Sequence, residues 1–402
     1  MGIQVGRGPQ RAKIKGSAYV SPKYLLPGTV YDAAKKRIRW LIHEFDGEIT
    51  VSTSGGKDST VVAELAIEVA REEGCLPLRM VWLDQECEYQ STVEYQRRMA
   101  DRPETDFRWY QIPFNLYNAT NHDEPWLHVW GEGEEWVREK EPDSIHENIF
   151  TRPDGTTVDH FKELLVAINT GIGGAFMTGV RSEESPTRRA FLTNNPGYKW
   201  VTWVTQGVGH GRGHYWLFHP IYDWSYRDVW KAILDNDWTY NVHYDRQFRL
   251  GIPTNKMRVS NYHHETALDA LFNLQEFEPE TWEKATKRLM GISTAGHIGR
   301  KDWQPKELPY MFASWWEYLD HLIDNLVTVE EYRKTFRKQA ASLATSLPWV
   351  SREQIAREMV RAVIGNDLYG TTTQTFRVVH SRRSDKDEWA RRQREQEEAF
   401  SG

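Results

Sequence analysis

Residues 54–59, which read Ser-Gly-Gly-Lys-Asp-Ser, combine residue types that bind phosphate groups. Gly55 and Gly56 let the backbone turn sharply and bring consecutive N–H groups close to an anion. The helix-like run from Thr60 adds unpaired N–H groups and the positive end of a helix dipole. Lys57 adds a positive charge, and the serines add hydroxyl donors. The pattern therefore predicts an exposed phosphate-binding loop; a plain Ser/Gly turn is the alternative.

The flanking sequence makes the loop more specific, because a strand-like run (48–53) precedes it and a helix-like run (60–72) follows. The spacing is neither that of Walker A nor Gly-x-Gly-x-x-Gly. It resembles the PP-loop of the ATP pyrophosphatase superfamily, Ser-Gly-Gly-x-Asp-Ser, which holds the pyrophosphate end of ATP or a related nucleotide. The resemblance implies ATP and Mg²⁺ as ligands, with Lys57 and Asp58 in catalysis and Asp58 as a metal ligand or anchor. The expected nucleotide contacts are Ser54, Gly55, Gly56, Lys57, Asp58 and Ser59.

Two later segments narrow the resemblance to the phosphoadenosine phosphosulfate (PAPS) reductase family. Residues 178–188 resemble that family's Gly-x-Arg-x-x-Gln/Glu-Ser-x-Thr-Arg element, and residues 219–233 its Pro-Leu-x-x-Trp-Thr-x-x-Asp-Val-Trp stretch. Arg181 and Arg188 would clamp phosphate or an acidic acceptor, since guanidinium binds such oxygens bidentately. Glu184 would orient these arginines or a ribose hydroxyl, and a surface ion-pair network is the alternative. The expected nucleotide contacts here are Gly179, Arg181, Glu184 and Ser185, and Arg181 and Arg188 are expected to act in catalysis.

The cysteines depart from that family. PAPS reductases carry a catalytic cysteine in a C-terminal Glu-Cys-Gly-Leu-His segment, and adenylylsulfate reductases add cysteines for an iron–sulfur cluster. The chain has only Cys75 and Cys87, and neither lies in such a segment. Because this reduction needs a positioned thiolate, the sequence argues against a reductase mechanism.

Residues 244–260 look like the signature of a PAPS-reductase-like subgroup. That subgroup includes prophage-encoded regulators of immunoglobulin-binding protein expression (regulator A proteins), which occur with a ParB-like partner. The resemblance implies such a partner and an indirect association with DNA. Lys256 and Arg258 are read either as contacts to nucleotide or nucleic acid or as ordinary boundary charges.

Alternating strand-like and helix-like runs continue after the loop, with strands at 78–83 and 107–112 and a helix at 91–100. They predict an α/β fold, a parallel twisted sheet with helices on both faces like that of adenine nucleotide alpha hydrolases, with ligand at the carboxyl ends of the strands. Asp84, at one such end, is read as a ribose or adenine contact or as a turn residue. The predicted divisions are a basic arm (1–29), the nucleotide-binding domain (30–240), a helical C-terminal region (241–378) and a charged tail (379–402).

Two stretches of this plan are less regular. Residues 114–160 are rich in Trp, Glu and Gly without periodicity and are expected to form a lid or a substrate-specific loop. The Gly-rich residues 210–214 raise the alternatives of a histidine metal site and of an Arg212 loop over phosphate. In the C-terminal region, helical periodicity predicts helices at 265–277, 279–290, 309–327, 329–346 and 351–364.

The net charge and the mean hydropathy of the chain argue against nucleic-acid-binding and membrane-spanning functions. The net charge is −6, which argues against a basic surface for nucleic acid, although residues 1–30 are basic without acidic residues. The mean hydropathy is −0.68, and no membrane span or signal peptide is recognised, so a cytoplasmic protein is expected.

These features together favour an adenine-nucleotide alpha hydrolase or adenylyltransferase-like enzyme that cleaves ATP between the α and β phosphates, with an unidentified acceptor. Two alternatives stay open. One is a nucleotide-sensing regulator that acts with a ParB-like protein or DNA, and the other is a sulfurylase-like or DNA sulfur-modification component.

Overall fold

The computed structural model describes residues 27–118, 126–185, 188–189, 192, 197–199, 201–209, 213–263, 271–292, 305–380 and 391. Its strands are β1 (Ile49–Ser52), β2 (Leu78–Leu83), β3 (Thr105–Tyr110), β4 (Phe114–Tyr117), β5 (Trp126–Val129), β6 (Ala175–Met177), β7 (Val204–Gly209) and β8 (Gly213–Phe218). The main sheet has the order β3-β2-β1-β6-β8-β7. Every neighbouring pair is parallel except β7 and β8, which are antiparallel. The predicted parallel sheet is therefore confirmed except at its β7 edge, which the alternating pattern did not predict.

Helices cover both faces of this sheet, as predicted. The helices of this part are α1 (Val30–Glu44), α2 (Lys57–Glu72), α3 (Gln90–Ala100), α4 (Phe161–Ile172) and α5 (Tyr226–Asp235). Successive residues of a strand point to opposite faces. Accordingly, Ala175 and Met177 of β6 join a core with residues of α1, α2 and α5, whereas Phe176 joins a second core with residues of α4.

The irregular segment 114–160 contains an antiparallel hairpin that sequence reasoning missed. In it β4 pairs with β5, with Phe114 opposite Val129. Val129 and the following Trp130 are fully buried and belong to the second core. This part of the segment is consequently core structure rather than a separate lid, and residues 119–125 lie outside the described residues.

Residues 241–263 and 271–292 pack with the sheet as well. Their helices are α6 (His243–Arg249), α7 (Leu271–Phe277) and α8 (Pro279–Arg288). Tyr262, Leu274 and Leu289 are buried in the same core as Phe176 of β6. The Glu278 carboxylate accepts hydrogen bonds from the first amides of α3, at 2.7 and 3.2 Å. The predicted domain boundary at residue 240 remains a prediction. Residues on both sides of it lie in the same hydrophobic core.

The last helices have a core of their own. They are α9 (Trp315–Asn325), α10 (Glu330–Ser346), α11 (Arg352–Ile364) and α12 (Thr371–His380). Leu319, Phe336 and Met359 are among their buried residues. This bundle contacts the β4–β5 hairpin, where the Tyr369 ring lies 6.0 Å from that of Trp126. Among the described residues, no helix is both long and apolar enough to cross a membrane.

Candidate functional site

The phosphate loop (residues 54–59) and the motif at residues 178–188, called the second motif below, meet at the carboxyl edge of the sheet, between β1 and β6. These strands are parallel neighbours, with Ile49 opposite Ala175. The chain leaves β1 into residues 54–59 and leaves β6 into residues 178–185. Because β2 lies on one side of this pair and β8 on the other, the strand order reverses here. Open α/β sheets bind ligands at such a switch point.

Gly179 and Gly55 allow the segments at this edge of the sheet to pack closely against each other. A Cβ atom on Gly179 would lie 2.5 Å from the carbonyl carbon of Asp58 and 2.7 Å from the amide nitrogen of Ser59. Both are backbone atoms, so the second motif approaches the phosphate loop this closely only with glycine. Gly55 has a φ of 70°, and a Cβ atom there would lie 2.8 Å from Thr92 Cγ2.

Asp58 joins two cations from distant parts of the chain. Its Oδ2 accepts a hydrogen bond from Lys57 Nζ at 3.0 Å, and its Oδ1 accepts one from Arg181 Nε at 2.5 Å. Arg181 also donates to Glu183 at 3.0 Å and to the Trp224 carbonyl at 3.3 Å. Its side chain is 5% exposed. Arg181 is therefore held inside the protein, where it positions Asp58, rather than presented as an open clamp.

The prediction that Lys57 and Asp58 lie on an exposed loop is wrong. Helix α2 begins at Lys57, three residues earlier than predicted, so both residues lie in its first turn. Lys57 is 8% exposed. The helix has no side-chain cap at its N-terminus. The Lys57 amide donates to the Tyr244 hydroxyl, so the amides that follow it in the first turn are the candidates for binding a ligand.

Glu184 lies between the arginines of the second motif. Its Oε1 accepts a hydrogen bond from the Arg181 amide at 2.8 Å, and its other oxygen pairs with Arg188. The Ser185 hydroxyl accepts a hydrogen bond from the Arg188 amide at 3.1 Å. Partial desolvation, and the positive charges of Arg258 and Arg181, lower the pKa of Arg188. Arg188 is thus already paired with Glu184, while the charges of Arg258 and Arg181 also act on it.

Tyr244 and Asn241, from the segment 241–259, support the phosphate loop. Sequence reasoning indicates only Lys256 and Arg258 of this segment as possible nucleotide contacts and does not assign Tyr244 or Asn241 to the site. The Tyr244 hydroxyl accepts a hydrogen bond from the Lys57 amide at 2.9 Å. Asn241 Nδ2 donates to the Gly55 carbonyl at 3.3 Å. Both side chains are buried, and burial and the Asp58 carboxylate raise the pKa of Tyr244. The one available signal was the signature at 244–260, which gave no contact partner.

Replacing Tyr244 with phenylalanine tests this role. The ring remains, but the buried Lys57 amide loses its acceptor, so the free energy of unfolding should fall by about 1–3 kcal/mol. ATP affinity should fall as well, because the loop loses a constraint. Urea denaturation and calorimetric titration measure the two effects. In the control Tyr240→Phe, only a hydrogen bond to the exposed Asp245 is lost, at about 0.5 kcal/mol. Equal losses of unfolding free energy in the two variants would contradict the role of Tyr244 in supporting the phosphate loop.

Asp84 faces the protein interior, although it follows β2 as predicted. It is fully buried, accepts hydrogen bonds from Trp109 at 2.7 Å and Gln111 at 2.9 Å, and pairs with Arg138. The predicted ribose or adenine contact is therefore corrected: internal donors occupy this carboxylate. Burial and the Asp84 charge raise the pKa of nearby Glu88 to about 8, so Glu88 holds a proton at neutral pH.

Neither cysteine is suited to thiolate chemistry at this edge. Cys75 precedes the six-residue β2, so it lies at the amino edge of the sheet, roughly 20 Å from the carboxyl edge. Cys87 is fully buried. Burial and the Glu86 charge raise the pKa of the Cys87 thiol well above its ordinary value, and burial raises that of Cys75. Both thiols stay protonated, the unreactive form.

The described residues provide no metal site made by the protein alone. They contain no group of three or more His, Cys, Asp or Glu side chains that could hold a metal ion. Cations engage both oxygens of Asp58, which favours an anchoring role over magnesium ligation. His219 is buried between the hydroxyls of Thr178 and Thr205, and burial and the Arg188 charge lower its pKa to about 3. The side chains of His210, Arg212, His214 and His264 lie outside the described part.

Two different protein-family models match adjacent parts of the chain, which meet at residue 251. Residues 48–251 match the phosphoadenosine phosphosulfate reductase domain, and residues 251–379 match a domain of unknown function, DUF3440. An uncharacterized protein of Escherichia coli strain K12, YbdN, is 26% identical over 348 residues, which cover 83% of each chain. An adenosine 5'-phosphosulfate reductase of Neisseria meningitidis serogroup B is 38% identical over 89 residues, which are 22% of this chain and 29% of the relative.

Solved structures resemble part of the chain. A phosphoadenylyl-sulfate reductase from Candida auris shares 14% identity and covers 58% of this chain and 89% of its own, with a TM-score of 0.34. An FMN adenylyltransferase from Candida glabrata shares 13% identity and covers 54% of this chain, with a TM-score of 0.33. The matched part spans 57% of the adenylyltransferase's length.

Proposed function

This chain belongs to the phosphoadenosine phosphosulfate reductase domain family, and from that premise we propose that it binds ATP and cleaves it between the α and β phosphates. One observation carries the proposal: residues 54–59 lead into the N-terminus of α2, where Asp58 accepts hydrogen bonds from both Lys57 and Arg181. The local identity with an adenosine 5'-phosphosulfate reductase supports an adenine nucleotide as the ligand.

The proposed chemistry follows from the charges at the switch point. Departure of pyrophosphate needs N–H donors and positive charge where negative charge develops. The first turn of α2 and Lys57 supply both. Arg188 adds charge from the second motif, whereas Arg181 acts through Asp58. The attacking group must lie in line behind the α phosphorus; water would give AMP, and another acceptor would give an adenylylated product.

Magnesium is proposed to arrive with ATP as part of the substrate. Mg²⁺ keeps most of its water and binds phosphate oxygens readily. The described residues do not fit a resident magnesium ion, because the carboxylate of Asp58 is engaged by Lys57 and Arg181. The proposal therefore assigns no step to a protein-bound metal.

A nucleotide-sensing regulator is the second candidate, and the contacts of the segment 241–259 with the phosphate loop favour it. That segment hydrogen-bonds to the phosphate loop through Tyr244 and Asn241 and continues into α7 and α8. Binding of ATP would then change the contacts of the C-terminal part without turnover. The ParB-like partner and indirect DNA association remain proposals, and residues 1–26 of the basic arm lie outside the described residues. A sulfurylase-like or sulfur-modification role would need a sulfur donor and a partner subunit.

Product analysis of ATP distinguishes these functions. Without an acceptor we expect AMP and pyrophosphate in equal amounts, and with an acceptor we expect pyrophosphate equal to the sum of AMP and adenylylated acceptor. The double variant Cys75→Ser/Cys87→Ser should give the same products. The double variant should keep its activity because the proposal gives no chemistry to either sulfur. ADP and phosphate would contradict α–β cleavage, and tight ATP binding without product would favour the sensor. Loss of turnover in a folded double variant would restore the thiol mechanism.

A further inference from the structure

We propose that Glu278 is a positioning residue of the phosphate site. Its carboxylate joins the start of α3 to α6, and these two helices support the phosphate loop at Gly55 and at Lys57. The inference rests on the proposed function and deepens it, because it names a residue outside both motifs on which the loop depends. Glu278 lies within residues 251–379, which match the domain of unknown function, so the proposal gives that domain a part in nucleotide binding.

The Glu278 carboxylate leaves its own helix and caps another. Glu278 occupies the N-cap position of α8, where a side chain usually accepts from the first amides of its own helix, but it makes no such bond. Instead its Oε2 accepts from the Gln90 amide at 2.7 Å, and its Oε1 from the Ser91 amide at 3.2 Å. Helix α3 has no other side-chain cap at its N-cap residue. The carboxylate therefore satisfies amides that helix formation leaves unpaired, and its charge is favourable at this end of the helix.

The second partner of Glu278 is Arg246 of α6. Its Nη1 donates to Glu278 Oε1 at 2.8 Å. The Glu278 side chain is only 6% exposed, so a partner group that moved away would leave a buried charge incompletely paired, which is costly. The carboxylate consequently fixes the position of α3 relative to α6.

Helix α3 contacts the phosphate loop directly. A Cβ atom on Gly55 would lie 2.8 Å from Thr92 Cγ2 and 3.5 Å from Gln96 Nε2. The Thr92 hydroxyl accepts a hydrogen bond from Asn241 Nδ2 at 2.9 Å, and the same Nδ2 donates to the Gly55 carbonyl at 3.3 Å. Because Thr92 directly follows Ser91, a shift at the start of α3 moves a residue that packs on the loop.

Helix α6 supports the other side of the loop through Tyr244. The Tyr244 hydroxyl accepts from the Lys57 amide at 2.9 Å, and Tyr244 lies two residues before Arg246 in the same helix. Loss of the Glu278 carboxylate should therefore loosen the loop at Gly55 and at Lys57 together. Binding and catalysis both depend on groups held in place before the ligand arrives.

The test compares Glu278→Gln with the control Asp367→Asn. Asp367 is also a buried carboxylate that accepts from a helix amide, that of Thr372 in α12, at 2.6 Å. It lies between α11 and α12 of the bundle, which has its own core, so its loss should lower thermal stability without reaching the phosphate loop.

Two measurements report on the loop. Mass spectrometry follows hydrogen exchange of the Lys57 and Thr60 amides without nucleotide, in peptides from residues 53–62, and calorimetric titration measures ATP affinity. We expect Glu278→Gln to exchange these amides about tenfold faster and to bind ATP about tenfold more weakly, the size of one lost charge-assisted hydrogen bond. Asp367→Asn should leave both quantities unchanged.

Arg246→Gln keeps the test decisive if Glu278→Gln does not fold. It removes one partner of Glu278 at a position that is 33% exposed and leaves the carboxylate on α3. We expect the same two changes at about threefold each, because the α3 amides still hold Glu278.

The outcomes separate this inference from the proposed function. If ATP binding depends on Lys57 but neither variant changes the loop exchange, the role of Glu278 is wrong and the proposed function stands. Equal changes in Asp367→Asn would indicate a general loss of stability and would also overturn the inference, as would faster loop exchange with unchanged ATP affinity. If the wild-type chain does not bind ATP, the proposed function fails, and the exchange measured without nucleotide still decides whether Glu278 positions the loop.

Discussion

Replacing Asp58 with alanine should lower the free energy of unfolding by about 3 kcal/mol, because it leaves a buried cation without its main partner. Arg181 is 5% exposed and donates to Asp58 at 2.5 Å. Glu183 and the Trp224 carbonyl still accept from Arg181 in the variant, which limits the loss to the lower end of the usual range for broken buried pairs. Lys57 also loses the carboxylate at 3.0 Å that holds its amine, so ATP affinity should fall together with stability.

Urea denaturation measures the change, and Asp235→Ala is the matched control. Asp235 pairs with Lys231 at 2.5 Å, but both side chains are more than half exposed. Removing that pair should cost at most about 0.5 kcal/mol. Asp58→Asn should lie between the wild type and the alanine variant, since the amide oxygen still accepts one hydrogen bond. Equal, small losses for Asp58→Ala and Asp235→Ala would show that Arg181 does not depend on Asp58.

Replacing Gly179 with alanine should reduce the rate of ATP cleavage by about 100-fold, since a displacement of about 1 Å in a preorganised site costs that much in rate, and ATP affinity should fall as well. The new methyl group would lie 2.5 Å from the Asp58 carbonyl carbon and 2.7 Å from the Ser59 amide nitrogen. No rotation of a side chain relieves a contact with backbone, so the first turn of α2 must move away from the second motif. Such overpacking should also cost about 1–3 kcal/mol of stability.

The control for this glycine is Gly171→Ala. Gly171 lies inside α4, and a Cβ atom there would meet only Phe150 at 3.6 Å, an ordinary contact. Alanine favours a helix by about 0.5–1 kcal/mol relative to glycine, so this variant should be slightly more stable and bind ATP normally. Calorimetric titration and thermal unfolding of both variants give the comparison. Wild-type ATP affinity in Gly179→Ala would mean that the phosphate loop is not held by the second motif.

Local patterns in the sequence determined the strand–loop–helix unit around residues 54–59 and the parallel direction of β1, β2 and β3, but not their order in the sheet. They also predicted most helices of the C-terminal region; α9, for example, lies within the predicted 309–327. Hydrophobic periodicity and glycine conformation act between near neighbours, so one stretch of sequence carries them. The antiparallel β7 and the β4–β5 hairpin lacked such a pattern and were missed.

Tertiary structure alone decided which side chains share the site. Arg181 reaches Asp58 across 123 residues, and Tyr244 reaches Lys57 across 187. Closing a chain over such distances costs entropy that depends only weakly on its length, so sequence separation does not tell which residues meet. Burial is settled in the same way: Asp84 has the right position after β2, but the packing of Trp109 and Arg138 around it turns a predicted ligand contact into part of the core.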